Sequence, residues 1–230
     1  MPHTTDHHEI LDRVSEERGG TRNVRLAIDP RRTAQLVIDM QNGFVEEGAP
    51  VEVPAARDVA EPINRISKAL REAGGLNVFV QYTTPGPDDP SWSTFYERFG
   101  PAAGTHKAAF QRGSHYWQLW PALEVEDGDI AVEKQRFSAF FPGASNLHEI
   151  LQERGIDTVI VTGTMTNCCC ESTARDAMQA NYRVIFAPDA NGASTEHEHA
   201  ATLHTMGRIF ADLWSSDELV ALIEAAKAPA

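Results

Sequence analysis

Three cysteines stand in a row, Cys168, Cys169 and Cys170, in a 230-residue chain that has no others. Adjacent thiols are too close for structural disulfides and lack the C-x-x-C spacing of a zinc or redox site, which points to nucleophilic chemistry for one of them. Taking Asn167 as a helix cap places residues 168–170 in a first turn, where free amides and the positive dipole end favour a thiolate. Helical periodicity then separates the three thiols. Cys170 shares an apolar stripe with Ala174, Ala177 and Met178; Cys168 shares a polar one with Ser172, Arg175 and Gln179; Cys169 falls between, with Thr173 and Asp176.

A thiol nucleophile needs a base and a fixed charge beside it. The apolar run at 34–39 ends in Asp39, and the run at 129–133 is followed at once by Lys134. Each alone reads as a turn residue or a solvated cation. Their meaning depends on the elements that carry them. Apolar or β-branched runs at 34–39, 76–82, 129–133, 157–163, 182–188 and, weakly, 209–214 alternate with helical patterns. The first such pattern has apolar residues at 59, 63, 66 and 70. Another runs from a Ser145 cap to Gly155. Nearly continuous apolar strands separated by helices predict a single α/β domain: a doubly wound, mostly parallel sheet with helices on both faces. Such sheets bind ligands beyond the carboxyl ends of their strands, so acid, amine and thiol fall on one rim. The Pro- and Trp-rich segment 83–128 is too long for an idle connection and is expected to fold over one end of the sheet.

The chain divides into an arm, 1–24, and a domain, 25–230. A formal net charge of −13 argues against nucleic acid or an anionic membrane as partner, since either requires a basic patch. No apolar run approaches the roughly 18 residues of a membrane span, and the N-terminus lacks the order of a signal peptide, so a cytoplasmic protein is expected. In the arm, His3, His7 and His8 read as solvated side chains rather than a metal site. Ile10, Leu11 and Val14 have helical spacing and suggest a detachable amphipathic arm that packs on a neighbouring copy.

Three stretches, VIDMQNGF (37–44), EKQRFSAFF (133–141) and VTGTMTNCCCESTARDA (161–177), together resemble the isochorismatase-like superfamily, in particular its cysteine hydrolases. The resemblance implies a catalytic triad of Asp39, Lys134 and Cys169, a non-proline cis peptide at Thr164–Met165, and an oxyanion hole made by the Met165 and Cys169 amides. Within the superfamily, TNCCCESTARD, RGS (112–114) and KQRFSAFF are most similar to ureidoacrylate amidohydrolases, which usually carry tyrosine where this chain has Phe137. The implied activity is hydrolysis of a small amide or ureide through a thioester. Other readings are cleavage of a larger amide or lactam in the manner of streptothricin hydrolases, vinyl-ether hydrolysis, and thiol redox sensing. Gln41 and Gln81 are candidates to orient the substrate, with Phe44, Trp92 and Phe137 as pocket walls. Residues 45–90 lack the histidines of the nicotinamidase metal cluster, so neither metal nor cofactor is expected. Related hydrolases suggest a homodimer or homotetramer.

Overall fold

A computed structural model of the chain describes residues 1–86 and 91–227. Six strands form one sheet: β1 (Thr33–Ile38), β2 (Leu76–Tyr82), β3 (Ile130–Lys134), β4 (Thr158–Thr164), β5 (Arg183–Gly192) and β6 (Asp212–Leu213). Their order is β3-β2-β1-β4-β5-β6 and every neighbouring pair is parallel. The helices are α1 (His7–Glu17), α2 (Asn42–Val45), α3 (Ala60–Glu72), α4 (Ser93–Tyr96), α5 (Ala103–Ala109), α6 (Leu147–Glu153), α7 (Glu171–Gln179), α8 (Glu196–Thr205) and α9 (Ser216–Lys227).

Because successive strand residues point to opposite faces, the sheet builds two cores. Leu36, Ile38, Val78, Val80, Val159 and Val161 meet α1, α6, α7 and α8 through Leu11, Leu147, Leu151, Ala174 and Leu203. Val37, Phe79, Ile160 and Ile185 meet α3 and α9 through Ile63, Ile66, Leu70, Leu219 and Ile223. The expected three-layer α/β architecture is what the chain adopts. The last strand is shorter than expected, because Met206–Phe210 prolong α8 as a wide turn whose end is tied by Ala211 N donating to Met206 O at 2.9 Å.

The strand order reverses between β1 and β4, and there the two backbones close in on each other. Gly163, at φ +117°, pairs with Ile38, and a Cβ on it would lie 2.1 Å from the Ile38 carbonyl oxygen. Only glycine fits this position. The segment 83–128, of which residues 87–90 lie outside the described residues, is stitched to the same rim. Asn42 N donates to Gln118 O, Gly43 N to Tyr116 O and Trp120 N to Met40 O, at 2.8–2.9 Å.

The arm departs from expectation. Ile10, Leu11 and Val14 are 8 %, 2 % and 1 % exposed and belong to this chain's own core, so they are not the surface on which a neighbour packs. Asp6 caps α1 by accepting from His8 N, and the connection to β1 is held by Asn23 Nδ2 on Leu213 O and by the Val24 and Arg25 amides on Asp212. Truncating a buried leucine leaves a cavity, so Leu11→Ala should lower the unfolding free energy by about 2–5 kcal/mol in urea denaturation. A loss within about 0.5 kcal/mol, the range of surface substitutions, would mean the arm detaches.

Candidate active site

Asp39 follows β1 directly, in the left-handed region at φ +52°, with its amide donating to Val80 O at 2.8 Å. Lys134 is the last residue of β3, in register with Tyr82. β1 and β3 are separated by β2, so the ends lie about 10 Å apart and only a long side chain bridges them. Lys134 does so. Its Nζ lies over the Tyr82 ring, 5.3 Å from the centroid, and donates to Asp39 Oδ2 at 2.7 Å and to Arg136 O at 3.0 Å. Both side chains are wholly buried. Asp39 Oδ1 is also buried and has no hydrogen-bond partner of ordinary geometry.

The cysteines lie opposite this pair, after β4 and a cis Thr164–Met165 peptide. Thr166–Cys170 form one wide helical turn, in which the Cys168 and Cys170 amides both donate to Met165 O, at 3.1 and 3.2 Å. The Cys169 amide does not join them, and among the described residues the Met165 amide meets no backbone acceptor. Asn167 does not cap a helix, as the sequence suggested; it sits inside the turn, and α7 begins at Glu171. The wide turn nonetheless sorts the thiols. Cys170 is buried with Ala174 and Ala177, Cys168 is half-buried, and Cys169 points at the ion pair, its thiol against both Asp39 and Lys134. Met178, expected on the apolar stripe, is instead 40 % exposed.

Two candidates for substrate contact prove to be fasteners. Gln41 is fully committed: Nε2 donates to Tyr82 O and Trp117 O, at 3.0 and 2.8 Å, and Oε1 accepts from Tyr82 N at 2.8 Å. Gln81 Nε2 also donates to Trp117 O, at 2.9 Å. Backbone groups at strand ends need partners, and these amides supply them. Phe44 is a core residue, its ring 4.6 Å from that of Phe110. Trp92 and Phe137 line a cleft, but Asp39, Lys134 and Cys169 are not among its lining residues. The Trp92 and Phe137 rings meet edge to face at 4.8 Å, and with Arg136, Ser138, Phe141, Ser172, Arg175 and Gln179 they bound about 620 Å³ along α7.

The profile of the isochorismatase domain matches residues 33–218. The chain belongs to the isochorismatase family. It is 34 % identical to a ureidoacrylate amidohydrolase of Methylobacterium radiotolerans over 87 % of this chain and 81 % of that one. It is 32 % identical to a probable inactive nicotinamidase of Arabidopsis thaliana over 78 % and 90 %. A cysteine hydrolase from Pseudomonas syringae pv. phaseolicola superposes with a TM-score of 0.80 at 29 % identity, covering 89 % of this chain and 98 % of that one.

In this isochorismatase-family site burial sets the charges. It raises the Asp39 pKa above its ordinary 3.8, against the pull of Lys134. Burial also works against the charge on Lys134, but Asp39 and Cys169 outweigh it, and the amine stays a cation above the usual lysine range. The Cys169 thiol is hydrogen-bonded to Cys168, buried and beside Asp39; together these hold it well above 9.0 despite Lys134. The expected resting thiolate therefore gives way to a resting thiol. The sequence reading missed the Tyr82 ring and the Arg136 carbonyl that place Lys134, although Tyr82 sits opposite Lys134 at the end of the neighbouring strand. For a metal, Asp6, His7 and His8 bring donor atoms within 4.8 Å of one another, yet Asp6 caps α1 and His7 bonds to Glu218.

A thiol held up in this way alkylates faster as pH rises, with no early plateau. Iodoacetamide labelling of Cys169, read by peptide mass, should still be accelerating at pH 9. A plateau below pH 8 would reveal a thiolate at rest.

Proposed function

We propose that the chain is a cysteine-dependent amidohydrolase that cleaves a C–N bond of a small amide or ureide. The observation that carries this reading is the Cys169 thiol lying against a buried Asp39–Lys134 pair whose Asp39 Oδ1 lacks a hydrogen bond of ordinary geometry. A buried polar atom without a partner calls for an explanation, and a proton in transit supplies one. The similarity to a ureidoacrylate amidohydrolase supports the substrate class.

Asp39 takes the thiol proton as Cys169 Sγ attacks the substrate carbonyl carbon. The resulting oxyanion sits on the Met165 and Cys169 amides, the two that leave the Met165 carbonyl to their neighbours. Collapse expels the nitrogen, which receives the proton from Asp39 and leaves as ammonia or an amine. Asp39 then deprotonates a water that attacks the thioester, and the acid departs with the thiol restored. Lys134 remains a cation throughout and holds the charge on Asp39 whenever its proton is away. No metal or cofactor takes part.

The cleft beside Trp92 and Phe137 supports a second reading of the substrate. At about 620 Å³ it is the size of a drug-sized ligand site, and because Asp39, Lys134 and Cys169 do not line it, it would hold the remote part of a larger amide or lactam rather than the scissile bond. Phe137 offers that cleft an aromatic face and no hydroxyl.

Ammonia and amine release across a panel of ureides, simple carboxamides and larger amides tests the reading. Cys169→Ala should abolish turnover, by at least about 10⁴-fold as for other residues that act as a covalent unit. Cys168→Ala and Cys170→Ala should stay active, the latter less stable because Cys170 is fully buried. Loss of activity only in the Cys168 or Cys170 variant would sink the assignment.

A further inference from the structure

The N-terminal segment reaches the back of the cysteine turn through two stacked imidazoles. On α8, His199 is 1 % exposed and its Nδ1 is hydrogen-bonded to Thr166 Oγ1 at 3.0 Å. Thr166 is fully buried and opens the turn that carries Cys169. One helical turn along α8, Thr202 Oγ1 donates to Glu171 Oε2 at 2.6 Å, at the other end of that turn. α8 thus holds both ends. Burial, with His3 close by, pushes His199 down to about 3, so its ring is neutral under working conditions.

The His3 ring lies flat on His199, with centroids 3.9 Å apart and planes 9° from parallel. Its tautomer follows from its partners. The Ala193 amide can only donate, so His3 Nε2 accepts from it at 2.9 Å and the proton sits on Nδ1, facing Glu196 Oε2 at 3.1 Å. Glu196 also takes the Thr4 amide and the Thr5 hydroxyl, which fixes the segment on either side of the ring. Ala193 follows Gly192, the strand partner of Thr164. His3 therefore touches the chain on both sides of Met165: through His199 to Thr166, and through Ala193 and Gly192 to Thr164. Around it is a cavity of about 100 Å³ lined by Pro2, Asp189, Asn191 and His199 among others, which leaves room for both rings to shift once the stack is lost.

We propose that His3 is a positioning residue for the reaction: stacked on His199 and pinned by Ala193, it fixes the Thr164–Thr166 stretch that aims the Met165 amide and the Cys169 thiol. The proposal rests on Cys169 being the nucleophile. Aim matters in the transition state more than in ground-state binding, so the loss should appear in kcat and not in KM.

The test compares His3→Ala with His7→Ala, which cuts the arm's bond to Glu218 and its ring contact with His8. Small misplacements of a reacting group cost up to about 10²-fold, so His3→Ala should lower kcat at least about tenfold, with KM within about twofold. His7→Ala should lose as much melting temperature and keep its kcat. Should His3→Ala not fold, His3→Phe, which keeps a ring on His199 without either hydrogen bond, is read the same way. Equal kcat values for the two positions, or a loss carried by KM, would overturn the proposal. If the wild-type protein turns over no amide, the reading of its function fails but this test does not. Iodoacetamide labelling of Cys169 should then change at least about threefold in His3→Ala and not in His7→Ala, since thiol reactivity follows its surroundings. Equal labelling would overturn it.

Discussion

The buried ion pair between Asp39 and Lys134 is the constraint around which the rest is arranged. The two groups are 2.7 Å apart and neither is exposed. Removing two charges from water is costly, and their attraction offsets that cost only when the geometry is good and further hydrogen bonds are made. The fold meets these terms with the Arg136 carbonyl and the Tyr82 ring. It leaves one term unmet, at Asp39 Oδ1, on the carboxylate against which the Cys169 thiol lies. Strand order makes the pair possible: β2 lies between β1 and β3, and the lysine stem spans it.

The same pair explains why three adjacent cysteines have three fates. The wide turn at Thr166–Cys170 sends Cys170 into the core, leaves Cys168 half-buried and aims Cys169 at the carboxylate. A thiol beside a lysine is often taken to be a thiolate, but here the neighbouring Cys168, burial and the Asp39 charge together outweigh the amine. The site stores a proton on sulfur and an acceptor next to it. On the proposed mechanism, activation belongs to the moment of attack, and the buried thiol stays protonated until then.

Much of this was legible in the sequence, for a physical reason. Strands buried on both faces must be apolar almost throughout, so β1, β2, β4 and β5 announce themselves, and whatever polar residue ends them sits on the ligand-binding rim. Asp39 was found that way; Lys134 ends β3, an edge strand buried only in part, and was found because it directly follows a short apolar run. Gln41 and Gln81 sit at the same strand ends and misled, because a glutamine there looks the same whether it meets a ligand or, as here, the Trp117 carbonyl some 36–76 residues away. Long-range pairing of this kind leaves no periodic trace. The arm misled for a related reason. Its apolar stripe at Ile10, Leu11 and Val14 shows that something covers it, and periodicity cannot say whether that is a neighbour or the chain's own α8 and the turn after it. The wide turn was invisible because it differs from a capped helix by a single residue of hydrogen-bond register, with the same residue types.

The central claim is that carbon–nitrogen cleavage passes through sulfur at Cys169 with Asp39 as its base. Acid quenching during turnover of an amide from the panel, followed by intact-protein and peptide mass measurement, tests it most directly. The account predicts an acyl adduct confined to Cys169 that accumulates in the wild-type protein and fails to form in Asp39→Asn. An adduct on Cys168, or undiminished turnover in a folded Cys169→Ala variant, would contradict it.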